Sequence, residues 1–330
     1  MSTAPLKTYW HLLDKQRMPS EYEIVSSRLL YYTERGFEVN VPAAAWYQRY
    51  QRDSAWQCSD WERFHDPRET TYAAYTARRA KQETYVDGLL ESIDRSAHDR
   101  TLTTEWRVAL ERLFAPLLYP LHGFQMIASY VGQMAPSGRI TIAALFQSAD
   151  EVRRIQRIGY RLKQLQQTWP ELARNHKELW LHDAAWQPLR EAVEHLLVTY
   201  DWGESLVGLN LCLKPALDEL VTHDLANLAR AHGDHPLAQI LESLREDLLW
   251  QREWTHALVD TVCADTPASR GAAQDWASHW SAVALRAVGA LAAEFDALDA
   301  GAEQGVGSRI EGEMRERLAA LDLRAAGGGR

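Results

Sequence analysis

Apolar positions recur at helical spacing along most of this chain. After Asp66-Pro67, the positions Tyr72, Tyr75, Tyr85, Val86, Leu89 and Leu90 predict a helix with one apolar face running to about Asp94. Trp106, Leu110, Leu113 and Leu117 repeat at i, i+4, i+7 and i+11 and predict a second, which Pro116 and Pro120 must kink or break. Leu121–Met134 continues as helix to the turn Ala135-Pro136-Ser137-Gly138, and a long helical pattern then runs from Ile140 to about Gln167. Shorter helices are expected at Glu171–Trp180 and Gln187–Thr199. Asp201 is placed to cap a helix from Trp202 to about Ala231 that carries Pro215 as a kink. Gly233-Asp234-His235-Pro236 makes a turn before Leu237–Val262, and Thr266-Pro267 precedes Ala268–Leu298. No run of alternating β-branched residues interrupts this pattern. The expected fold is all-α, a bundle of long helices.

The two ends differ from this body. Residues 1–66 read as an arm with Pro5, Pro19 and Pro42, little periodicity beyond a short helix near Tyr22–Tyr32, and the indoles of Trp10, Trp46, Trp56 and Trp61. A solvated tail would be poor in aromatics, so the arm must lie on something. Tyr9, Trp10, Tyr22, Trp46 and Tyr47 are its candidates for burial against a partner. Residues 67–298 form the expected helical domain. Residues 299–330, with Gly301, Gly305, Gly307 and Gly327–Gly329, are expected to be a flexible tail holding at most one short helix at Ile310–Leu323.

Composition narrows the function. The 330 residues carry 36 Lys and Arg against 45 Asp and Glu, a net charge of −9, which argues against a nucleic-acid surface. Apolar runs are far shorter than a membrane span needs, and the N-terminus lacks a secretory pattern, so a cytoplasmic protein is expected. Cys58, Cys212 and Cys263 have no metal-knuckle spacing and read as plain thiols. Thirteen Trp and 13 Tyr against 6 Phe point to a large buried interface.

Long bundle helices invite a search for carboxylate-bridged metal sites, which need Glu-x-x-His on inward faces because i and i+3 share one side of a helix. Glu62–His65 matches but is cut off by Pro67, and Glu253–His256 stands without a second pair. Asp150-Glu151-Val152-Arg153-Arg154 has the layout of such a segment with Arg154 in the histidine position. A guanidinium offers no lone pair and cannot ligate iron. From Arg112 to Ala149 there is no acid in 38 residues, where 45 acids in 330 residues predict about five. In Leu244-Arg245-Glu246-Asp247-Leu248-Leu249-Trp250, Leu or Trp stands three places after each acid. The pattern is that of a ferritin-like bundle whose metal site has given way to packing. Glu151, Arg154 and Glu204 mark the vestigial positions, and Arg154 is expected to pair with Glu151 or Glu204.

Several stretches together resemble the beta subunit of the hydroxylase component of bacterial multicomponent aromatic monooxygenases, of the toluene type. They are Lys7-Thr8-Tyr9-Trp10-His11-Leu12, Pro19-Ser20-Glu21-Tyr22-Glu23-Ile24-Val25-Ser26, Asp66-Pro67-Arg68, Gln133-Met134-Ala135-Pro136, Gln147-Ser148-Ala149-Asp150, Tyr200-Asp201-Trp202-Gly203-Glu204 and Lys214-Pro215. The resemblance implies a chain with the fold of the catalytic alpha subunit but without iron ligands or any cofactor of its own. It implies a scaffold for alpha in an assembly of two alpha, two beta and two gamma chains. The di-iron centre would lie in alpha, and NADH electrons would arrive through a flavin reductase and a Rieske ferredoxin, with a small effector protein controlling turnover. The rival reading is a stand-alone di-metal carboxylate oxidase using Glu151, Glu204, Glu253 and His256, with a further imidazole from His122, His195 or His223.

Overall fold

The computed structural model describes residues 17–26, 42–298 and 305–326. Among them there is no strand, and the main helices, in chain order, are α1 (Tyr72–Ser96), α2 (Leu118–Met134), α3 (Gly138–Thr168), α4 (Gln187–Leu197), α5 (202–231), α6 (His235–Ser243), α7 (Arg245–Asp265), α8 (Pro267–Leu298) and α9 (Val306–Ala319). Their starts are chemically marked. Thr71, Ser137, Asp201 and Asp234 each accept a backbone N–H from the first turn that follows, which satisfies donors a helix start leaves open.

Helices α2, α3, α5 and α7 surround the centre. α2 and α3 form an antiparallel hairpin, with Gln125 Nε2 3.1 Å from Ser148 Oγ and Gly132 against Leu145. α5 runs beside α3 in the same direction, since Gln147, Glu151 and Arg154 meet Asn210, Lys214 and Asp218 in turn. α7 runs the opposite way, with Asp247 reaching Arg153 and Gln251 reaching Asp150. The space between is filled by a continuous apolar core that includes Trp106, Trp202, Trp254, Leu217 and Leu258.

Pro215 disturbs α5 in a specific way. α5 is not one regular helix: α-helical segments Trp202–Leu206, Lys214–Glu219 and Ala226–Ala231 are joined by wide π-helical turns, Val207–Leu213 and Leu220–Leu225. The first wide turn delivers Pro215 into the opening turn of the segment after it, where a proline's missing N–H and fixed φ are tolerated. A kink expected from the sequence becomes a change of register.

Two expectations are corrected. On α1 the buried side chains are Tyr75, Arg79, Val86, Leu90 and Ile93, while Tyr72 and Tyr85 are exposed. The inward face is partly polar because acids on α3 and α7 lie beneath it, so apolar spacing alone misplaced it. Residues 305–326 do not trail away. Val306, Ile310, Met314 and Leu318 of α9, with Leu321 and Leu323, join the main core, and Asp296 of α8 accepts the Val306 N–H at 2.9 Å. The helix begins four residues earlier than its apolar spacing suggested, because that carboxylate anchors its first turn.

The described parts of the N-terminal segment lie on the bundle. Tyr22 is buried and its hydroxyl accepts the Asp66 N–H. Trp46 donates from Nε1 to Tyr130 Oη at 3.1 Å and Tyr47 donates to the Gln133 carbonyl at 3.3 Å. Trp56 is fully buried among Trp202 and Trp276, its Cβ so close to Gly203 that an added methyl there would stand 2.9 Å away. Tyr9 and Trp10 lie outside the described residues.

Candidate functional site

At the bundle centre, where α3 presents Glu151 and Arg154 one turn apart, four charged side chains close on one another. Arg154 Nη1 lies 3.0 Å from Glu151 Oε2 and 2.8 Å from Asp218 Oδ1. Lys214 Nζ lies 2.9 Å from Glu151 Oε1 and 2.8 Å from Asp218 Oδ2. Two acids from different helices thus share two bases in a closed ring, and all four are buried. Burial works against the charge of Arg154, yet Glu151 and Asp218 outweigh it and hold its pKa above the ordinary value. Burial likewise works against the Asp218 carboxylate, and Lys214 and Arg154 more than offset it, holding the carboxyl below its usual range. The Arg154 guanidinium stands where an i, i+3 Glu/His pair would offer an imidazole lone pair, and Lys214 reaches across from α5 to occupy the same two carboxylates, so this donor set does not fit a di-metal centre.

A second ionic layer fastens α1 to the centre. Asp150 accepts from Tyr75 Oη at 2.9 Å and Arg79 Nη2 at 2.6 Å. Asp247 is bridged by Arg79 Nη1 and by Arg153 Nη1, the latter at 2.8 Å. Arg153 continues outward to Glu83. Burial, reinforced by the neighbouring Asp247, pushes the Asp150 carboxyl up to about 6 against the pull of Arg79 and Arg153. An unfolded Asp titrates near 3.8, so the folded chain holds an extra proton between the two values. Asp150 therefore contributes stability that is present below about pH 4 and lost as pH rises through about 6. For Asp150→Asn, the melting temperature relative to the native chain should rise with pH across this window. A difference constant from pH 4 to 7 would show that Asp150 does not titrate there.

The remaining sequence candidates scatter. Glu204, expected as a partner of Arg154, accepts from Trp280 Nε1 at 3.1 Å and lines a cleft of about 370 Å³ with His195 and His279. It sits ten residues, roughly 15 Å of helix, before Lys214, which is why it cannot reach the centre. Glu253 and Glu246 together hold Arg68, and His256 is half-buried with its pKa lowered by desolvation. His122 and His195 are exposed and His223 pairs with Asp224. Glu62 and His65 surround Arg139 at the start of α3. The four residues of the rival oxidase therefore do not converge. Among the described residues, no three His, Cys, Asp or Glu side chains gather closely enough to hold a metal ion. Lys214 and Asp218 were missed as site residues. Their signal was a Lys and an Asp at i, i+4 directly after the largely apolar stretch Leu206–Leu213.

A long ferritin-like helical bundle with an ion cluster at its centre is the class that fold and site define. The Methane/Phenol/Alkene Hydroxylase family matches residues 45–266, and the chain belongs to that family. It is 32% identical over 293 residues, 87% of this chain and 89% of the relative, to the hydroxylase component subunit beta of the toluene-4-monooxygenase system of Ectopseudomonas mendocina. To the oxygenase component DmpL of phenol 2-monooxygenase from Pseudomonas sp. (strain CF600) it is 27% identical, over 73% of each chain. A solved structure of toluene 4-monooxygenase with toluene in the resting active site superposes with a TM-score of 0.84 at 32% identity, covering 90% of this chain and 99% of that one. Phenol hydroxylase from Pseudomonas sp. OX1 shares the fold at the same TM-score and 21% identity, over 98% of both chains.

Proposed function

We propose that this chain is the non-catalytic beta subunit of a toluene-type monooxygenase hydroxylase. It scaffolds a catalytic alpha subunit, within an assembly of two alpha, two beta and two gamma chains. The observation that carries the reading is the ring of Glu151, Arg154, Lys214 and Asp218, which spends the positions suited to metal binding on charge pairing between α3 and α5. Similarity to a toluene-4-monooxygenase beta subunit over nearly nine-tenths of both chains supports it. The di-iron centre and the aromatic substrate belong to alpha. Reductase, Rieske ferredoxin and effector serve the complex rather than this chain. Free thiols at Cys58, Cys212 and Cys263 suit a cytoplasmic location, and no described helix is long and apolar enough to cross a membrane.

The test is to co-express the chain with its alpha and gamma partners and measure iron in the purified complex. Iron should fall to background when the alpha ligands are replaced, while the complex still assembles. An equivalent of iron that survives those replacements and vanishes in Glu253→Ala would overturn the reading.

A further inference from the structure

The cleft of about 370 Å³ lies between α4 and α8, with Glu204 of the first turn of α5 among its lining residues. The two helices run antiparallel, since Leu196 and Trp280 both crowd Gly208, whereas Arg112 reaches both Asp183 before α4 and Glu294 late in α8. His195, Trp280 and Glu204 therefore share one end of the cleft, and Glu191 and Arg286 lie toward the other. Ala192 and Val283 line the stretch between. Trp280 and Arg286 are six residues apart, roughly 9 Å of helix. A cleft of this size falls in the range that small ligands occupy.

Glu204 is only half spent. Its Oε1 accepts from Trp280 Nε1 at 3.1 Å, and its Oε2 has no hydrogen-bond partner among the described residues. A glutamine would satisfy the indole as well, so the charge is not needed for that bond. The indole itself is seated firmly, because an added methyl at Gly208 would stand 2.9 Å from its ring, and it fixes where the carboxylate points. A half-buried carboxylate with an open oxygen recovers the hydration it has lost when a charged donor binds it.

Charge and donor set narrow the occupant. Glu191 and Glu204 against Arg286 leave one net negative charge when His195 and His279 are neutral, as an imidazole is at about pH 8. An anion is repelled at the Glu204 end. A metal ion lacks a third donor, since no three His, Cys, Asp or Glu side chains gather closely enough among the described residues. Ala192 and Val283 form an apolar bed that a hydrated inorganic cation leaves unused. We propose that this cleft binds a small primary ammonium compound with a short apolar body, its ammonium on Glu204 Oε2 and its body along Ala192 and Val283. Every residue of the site belongs to this chain, and a ligand bound there ties α4, α5 and α8 together and stabilises the folded state.

The experiment is isothermal titration of the full-length chain at about pH 8 with three probes of one shape, benzylammonium, benzyl alcohol and benzoate. Benzylammonium should bind the native chain at least about tenfold more tightly than benzyl alcohol, and benzoate more weakly than either. Glu204→Gln should bring benzylammonium down to the level of the alcohol. Its amide oxygen still accepts from Trp280, so its melting temperature without ligand should match that of the native chain. Glu194→Gln, which removes an exposed acid paired with Arg190 outside the cleft, should bind as the native chain does. On the native chain, no binding of benzylammonium up to about 10 mM, or equal affinity for the alcohol, overturns the proposal. So does undiminished binding by folded Glu204→Gln. An equal loss in Glu194→Gln overturns it too, because the preference then comes from surface charge at large.

Discussion

Replacing Arg154 by alanine is expected to destabilise the folded chain by about 3–5 kcal/mol, the scale for removing one partner of a buried ion pair. The substitution leaves Glu151 and Asp218 facing each other with Lys214 as their single cation, so a net negative charge is stranded among residues that are almost wholly buried. Burial would then push both carboxyls up, and the deficit should shrink as pH falls and one of them takes a proton. Urea unfolding at neutral pH and near pH 5 measures both effects. A loss under about 1 kcal/mol would mean that the ring contributes no more than an exposed salt bridge does. Arg154→His should be destabilising too, because an imidazole is shorter and lacks the two-sided reach of the guanidinium.

Trp56→Ala is expected to cost a similar amount, about 3–5 kcal/mol, for a different reason. The indole is fully buried, with ring centroids 5.5 Å from Trp202 and 6.3 Å from Trp276, and its Cβ rests on Gly203 at the start of α5. Truncation opens a cavity between the N-terminal segment and the bundle, which the surrounding rings cannot fill by small shifts. The bonds from Ser54 to Asp201 and from Ser59 to Asp265 remain, so the segment should loosen rather than detach. Amide exchange in residues 53–61 should rise well above the change in α2 or α3. Uniform acceleration throughout the chain would indicate that Trp56 stabilises the whole bundle and not this junction.

Much of the architecture was legible because it is written in local chemistry. Asp201 announces the start of α5, Pro136 and Gly138 bracket the α2–α3 turn, and the acid-free stretch reports a hairpin with its apolar side turned both inward and outward. Half of the ionic centre was legible as well. Glu151 and Arg154 share a helix face at i, i+3, and they do pair. The partner across the bundle was not. Choosing Asp218 over Glu204 requires the register of α5 against α3, and the π-helical turn Val207–Leu213 between them alters that register in a way no apolar periodicity records. The aromatic residues of the N-terminal segment posed the same problem. A Trp that pairs with a partner and a Trp that donates to Tyr130 of its own chain look alike in sequence, since both need a wet handle and an apolar bed. Tyr72 and Tyr85 misled for the converse reason. α1 is fastened through Arg79, so ring spacing carried little information about which side faces in.

The ring of Glu151, Arg154, Lys214 and Asp218 also bears on when this chain becomes competent to assemble. A bundle braced by imported ions finishes folding only as fast as the cell delivers them, and it stalls when the supply is short. Here the two acids and two bases arrive together on one polypeptide and cancel one another as α3 and α5 meet. The centre is complete as soon as the helices close, at a rate set by the chain itself. A centre of this kind carries its own neutralisation into the fold.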